Sequence, residues 1–278
     1  VAILLIYPIL ALMMVLLDHK ITSYNNTPLN GYGGIWPVIK REATPPMRYR
    51  VLLPWLYGAV FWILGGEEDP PEPLPIYLFW KWFFMAASMM AAAYFFSHAI
   101  ALILALYWML TLQYDYWSVY AEALAFLLVL TGDICLVLAG VTIGALSKDT
   151  AIVLPLVFLS IGGGWLTVPV AMLCWGLVLA VRFYQGKHPD AVNSYRKPMN
   201  CAFKYVWKRK VWRGFLLIGW GTIIVSLVVL AHYQQIPYPF RETVWVLPVM
   251  CLAGFFGALV HEPRVFAVNV IWWGALLI

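Results

Sequence analysis

Five short stretches place acids, cations and hydroxyls inside an otherwise apolar chain. Asp18-His19 follows the first apolar run, and a carboxylate there is solvated on one side and desolvated on the other. Partial desolvation raises basicity toward what a general base needs. Arg48-Tyr49-Arg50 precedes a second apolar run, and paired guanidinium forks suit phosphate oxygens. Asp115 and Glu122 are seven residues apart, so on a helix they share a face two turns apart. Lys148-Asp149-Thr150 joins two apolar runs, and Glu262-Pro263-Arg264 joins two more. An acid within an apolar run needs a cation; for Glu122, Lys81 is a candidate structural partner.

Each stretch also has a plainer reading. Asp18 can mark a helix end, and the two arginines can snorkel toward water without any ligand. Asp149 can act as a helix N-cap. Glu262 and Arg264 can pair with each other. Weighing these against chemistry requires knowing which elements carry the stretches.

Those elements are apolar. Of 278 residues, 63% are hydrophobic and 11% charged, with mean hydropathy +0.81. A soluble domain of this length does not need so much apolar surface, so the composition indicates a polytopic membrane protein. Trp, Tyr and Phe number 15, 16 and 15, as suits rings at two membrane-water interfaces. The net charge of +5 belongs to loops, and no nucleic-acid surface is expected. Cys135, Cys174, Cys201 and Cys251 show no CxxC or Cys/His pairing and read as small apolar residues. The five histidines are scattered, and no P-loop, GxGxxG, HExxH or GxSxG motif occurs.

The expected fold is all-α, a single transmembrane domain over 1–278 with about nine to eleven membrane helices. Apolar runs fall at 1–17, 76–96, 98–112, 116–132, 134–147, 151–162, 165–182, 214–233, 244–260 and 265–278. Gly162-Gly163-Gly164 marks a break. Residues 18–66 read as the first extramembrane loop with an interfacial helix, and 183–213 as a basic extramembrane loop. The chain begins at Val1 and ends within an apolar run, so both termini are expected to be truncated.

The run 51–65 decides the topology. If it crosses the membrane, Asp18 faces the side opposite Asp115, Lys148 and Glu262. If it lies flat, anchored by Trp55, Tyr57 and Trp62, all four stretches share one side. The flat arrangement permits a convergent site. Opposing it, residues 182–213 carry nine Lys/Arg against one acid, Asp190. That composition is typical of a cytoplasmic loop, unless its cations hold anionic lipid phosphates.

The order of these residues resembles bacterial polytopic glycosyltransferases of the GT-C type. The resemblance rests on the acid after the first helix, Tyr49-Arg50-x-Leu52-x-Pro54-Trp55-Leu56, Tyr114-Asp115-Tyr116, Lys148-Asp149-Thr150 and Glu262-Pro263-Arg264-Val-Phe. It implies transfer of a sugar from a polyprenyl-phosphate donor to a lipid, glycan or protein acceptor, at the bacterial inner membrane and outside the cytoplasm. By position, Asp18 is the implied catalytic base. Arg48, Arg50, Lys148 and Arg264 are the implied ligands of the donor phosphate, and Tyr49, Asp115, Glu122 and Glu262 bind or orient substrate. No cofactor is required, although the family's metal use varies and allows a divalent cation. Two alternatives stand beside this one. The chain suits a non-catalytic subunit of a larger membrane complex, and its broken helices suit a transporter or flippase of a lipid-linked substrate.

Overall fold

The computed structural model describes residues 5–22, 38–41, 50–63, 74–111, 117–186, 210–257 and 268–278. The fold is all-α, with no strand among the described residues. The α-helices are α1 (Ile6–Thr22), α2 (Leu52–Ile63), α3 (Leu74–Phe95), α4 (His98–Thr111), α5 (Trp117–Leu130), α6 (Ile134–Ser147), α7 (Leu154–Ser160), α8 (Thr167–Gln185), α9 (Lys210–Ala231), α10 (Val246–Gly257) and α11 (Val270–Ala275).

Helix α5 is the centre. Every residue from Ser118 to Leu130 is buried, so the helix is covered on all sides. It packs most extensively against α6, then against α3. Small residues make the α5–α6 approach close. A Cβ at Gly140 would sit 2.7 Å from the Ala125 carbonyl oxygen, and one at Gly144 would sit 3.2 Å from Ala125 Cβ. Two glycines four residues apart thus give α6 a flat face for α5, as in small-xxx-small helix contacts. Asp133 starts α6 as its N-cap, accepting from the backbone N–H groups of Cys135 and Leu136 at 3.0 and 3.1 Å.

The break at Gly162 to Gly164 is present. Gly162 and Gly164 have φ of +97° and +52°, a region where a Cβ is costly. The chain turns there and enters α8 through a short 3-10 segment, Gly164–Leu166.

Two helical segments are long and apolar enough to cross a membrane, Pro75–Phe95 and Gly164–Gln185. Other apolar runs form shorter helices, with 12 residues in α2, 14 each in α4, α5 and α6, and six in α11, while α9 has 22 residues. The run 151–162 is a 3-10 turn followed by the seven-residue α7. Full-length spans therefore do not reach the expected nine to eleven among the described residues.

Outward faces remain apolar. On α8, Val170, Cys174, Val178 and Val181 are buried, while Val168, Met172, Trp175, Leu179 and Phe183 are exposed at the same helical spacing. Helix α1 likewise exposes Ile9, Leu12, Met13, Leu16 and Leu17 while burying Tyr7, Ala11, Met14 and Val15.

Candidate functional site

The first two turns of α5 carry Ser118, Tyr120 and Glu122, all buried. Their side chains meet charged groups from three other parts of the chain, Arg50, Lys81 and Lys148.

Glu122 is 1% exposed. Its Oε2 accepts from Lys148 Nζ at 2.5 Å, and its Oε1 accepts from the Thr150 hydroxyl. Backbone geometry delivers both partners. Helix α6 ends at Ser147, Lys148 turns to an extended conformation, and its N–H still closes on the Gly144 carbonyl at 2.9 Å. The 3-10 turn that follows carries Thr150 back to the same carboxylate. The two motif residues thus hold the two oxygens of one acid. The side chain of Asp149 lies outside the described residues, as does any capping role for it.

The second ion pair joins Lys81 of α3 to Asp18 of α1, with side chains 3% and 9% exposed. The Lys81 ammonium also lies 5.8 Å above the ring of Tyr120, within range of a cation–π contact. Tyr120 in turn meets Trp108 edge-on.

Arg50 donates from Nη1 to Ser118 Oγ at 3.4 Å. Its position is set one residue later, where Val51 N–H bonds the Leu146 carbonyl at 3.0 Å and ties the entry of α2 to the end of α6. Ser147, beside Lys148, is fully buried, and its hydroxyl has no hydrogen-bond partner.

Four predicted site residues, Asp18, Arg50, Glu122 and Lys148, therefore gather around the start of α5. They come from the end of α1, the entry of α2, α5 itself and the end of α6. Arg48, Tyr49, Asp115, Glu262 and Arg264 lie outside the described residues. Two expectations are corrected. Asp18 is not at a helix mouth, because α1 continues to Thr22 and the carboxylate is buried inside the bundle. Glu122 is paired with Lys148 rather than Lys81, which Asp18 holds instead.

Sequence reasoning gave Lys81 only a structural role, and it passed over Ser118 and Tyr120. The signal for Lys81 was available, since it is a lone cation inside a long apolar run and such residues are costly unless paired. Nothing in the sequence marks Ser118 or Tyr120, which matter only through their place on α5.

The cluster contains three cations, Arg50, Lys81 and Lys148, and two carboxylates, Asp18 and Glu122, a balance of +1. Buried ion pairs add little net stability, since desolvation offsets much of the attraction. Apolar side chains of similar volume would hold these helices as well. No group of three His, Cys, Asp or Glu side chains able to hold a metal ion occurs among the described residues. Comparison with family models, curated proteins and solved structures gives no match to this chain.

Proposed function

We propose that this chain is a polytopic membrane protein whose buried ion-pair cluster transfers a sugar from a polyprenyl-phosphate donor to an acceptor hydroxyl, as in GT-C glycosyltransferases. One observation carries the proposal. Asp18, Arg50, Glu122 and Lys148, singled out from four separate stretches, meet around the first turns of α5.

Membrane residence is supported by the apolar outward faces of α1 and α8, which need lipid or another apolar cover. The non-crossing course of 51–65 is supported by the Asp18–Lys81 pair. The end of α1 and the opening turns of α3 touch, so the chain between them leaves and returns at one level. Helix α2 also has only 12 residues, with Leu53, Tyr57 and Phe61 turned inward and Trp55, Trp62 and Ile63 outward.

In this mechanism the Asp18 carboxylate takes the acceptor's hydroxyl proton. The acceptor oxygen then forms its bond to the anomeric carbon as the bond from that carbon to the phosphate oxygen breaks. The leaving lipid phosphate keeps the electron pair, and Arg50 and Lys148 stabilise its charge. Glu122 and Thr150 hold Lys148 in place. Lys81 holds the Asp18 carboxylate in place through its ion pair. The test is transfer of a labelled sugar from a polyprenyl-phosphate donor by the purified chain in liposomes. Asp18→Asn is expected to lower turnover at least about a hundredfold, the lower range for a general base. Unchanged turnover would remove Asp18 from the chemistry.

A further inference from the structure

The hydroxyl of Ser147 differs from the others on these helices. Ser88, Thr142, Ser160 and Ser226 each donate to the carbonyl four residues earlier, at 2.8–3.0 Å, a common way for a helical hydroxyl to use its proton. Ser147 closes α6 and is fully buried, yet its Oγ has no partner, and the Ile143 carbonyl one turn back is not used. A buried hydroxyl without a hydrogen bond is costly. Thr167 Oγ1 is also unpartnered, but that residue opens α8 and has no α-helical turn directly before it.

Position gives this hydroxyl a use. Ser147 follows Gly140 and Gly144 at helical spacing, on the face of α6 that α5 covers. The two helices run antiparallel, since Gly140 faces Ala125, Leu128 and Val129 while Lys148 reaches Glu122. Beyond Gly144 that face therefore meets the first turns of α5, where Ser118 and Glu122 sit. Both sequence neighbours of Ser147 are tied to the cluster. The Leu146 carbonyl accepts from the Val51 N–H at 3.0 Å, one residue from Arg50, and Lys148 holds Glu122. Leu146 also packs on Val38, Val51 and Val181, and the Arg41 N–H closes a turn on the Val38 carbonyl at 3.2 Å, beside the end of α6. Ser147 thus lies between the attachment points of two cations, half-buried Arg50 and buried Lys148.

We propose that Ser147 is a further binding residue for the lipid phosphate, its hydroxyl donating to a phosphate oxygen held by Arg50 and Lys148. The phosphate enters past Arg50, and drawing the Lys148 ammonium toward itself opens the hydroxyl to one of its oxygens. A hydrogen bond to a charged oxygen is stronger than one between neutral groups, so the ligand supplies the partner that the free chain lacks. A fixed neutral donor also orients the phosphate, which two flexible cations alone do not. This inference rests on reading the cluster as the seat of a polyprenyl phosphate, although not on sugar transfer.

The test is calorimetric titration of the purified full chain in neutral detergent with farnesyl phosphate or farnesol, which share a tail and differ in the phosphate. The wild type is expected to bind farnesyl phosphate more tightly. Ser147→Ala is expected to weaken farnesyl phosphate binding about tenfold, the lower range for a hydrogen bond to a charged group, and to leave farnesol binding unchanged. Its melting temperature is expected not to fall, because the free chain loses no hydrogen bond. Ser88→Ala removes a buried hydroxyl of α3 that is already satisfied and is expected to leave binding of both ligands unchanged. Undiminished farnesyl phosphate affinity in Ser147→Ala would overturn the proposal, as would an equal loss in Ser88→Ala. A lower melting temperature in Ser147→Ala would mark a structural role and overturn it too. So would displacement of farnesyl phosphate by equimolar inorganic phosphate, which would mark a site for the free ion. A wild type that binds farnesyl phosphate no better than farnesol would overturn the phosphate reading of the whole cluster. If the wild type shows the preference and Ser147→Ala keeps it, the role of Ser147 fails while the cluster reading stands.

Discussion

Breaking the Asp18–Lys81 pair tests stability and mechanism together. Both side chains are nearly inaccessible, at 9% and 3% exposed, so Lys81→Met leaves a buried carboxylate without its cation and Asp18→Leu leaves a buried ammonium. Removing one partner of a buried pair costs about 3–5 kcal/mol, whereas replacing both with apolar side chains is about neutral or better. At roughly 2–4 °C per kcal/mol for a chain of this size, each single variant is expected to melt about 6–20 °C lower. The double variant Asp18→Leu/Lys81→Met is expected to return close to the wild type. A thiol-reactive dye reads the transition, because Cys174 is fully buried and Cys251 half-buried, while exposed Cys135 gives a constant background. Sugar transfer is then measured on the same samples. If Asp18 is the base, the double variant regains stability and stays inactive. A coupling below about 1 kcal/mol would refute the pair as a closed unit. Recovered transfer in the double variant would refute Asp18 as the base.

Other perturbations probe the packing and the topology. Gly140→Ala pushes a methyl group against the Ala125 carbonyl oxygen and is expected to cost about 1–3 kcal/mol. Gly176→Ala, which meets only open space, is expected to gain about 0.5–1 kcal/mol, and both shifts appear in the same melting assay. Ser226 spends its own proton on the Thr222 carbonyl while accepting from Asn269 Nδ2 and Trp273 Nε1. Ser226→Ala strands those donors in the core and is expected to cost about 1–3 kcal/mol. Cys135, at the start of α6, and a cysteine introduced as Arg41→Cys beside the end of α6 are expected to label with impermeant maleimide from opposite sides of a sealed vesicle. Labelling of both from one side would show that α6 does not cross.

The sequence by itself determined the helical class, because apolar runs this long leave no alternation for strands and must satisfy their backbone groups internally. It also determined the break at Gly162 to Gly164 and the positions of the charged stretches, since single charges in apolar runs are conspicuous. Periodicity did not determine where the helices end. Six residues form α11 inside an apolar run of 14, and α1 runs through Asp18 and stops only at Thr22. The cation that pairs with Asp18 is 63 residues away, so no local pattern marks it. The pairing itself was decided by the fold alone. The sequence offers Lys81 to Glu122, yet Glu122 is held by Lys148 because Gly140 and Gly144 bring α6 close against α5 and the turn after α6 folds back onto the carboxylate. Lys81, displaced from that role, found Asp18. Sequence names the charges an apolar chain must satisfy, and only the close packing of α5, α6, α3 and α1 selects which charge satisfies which.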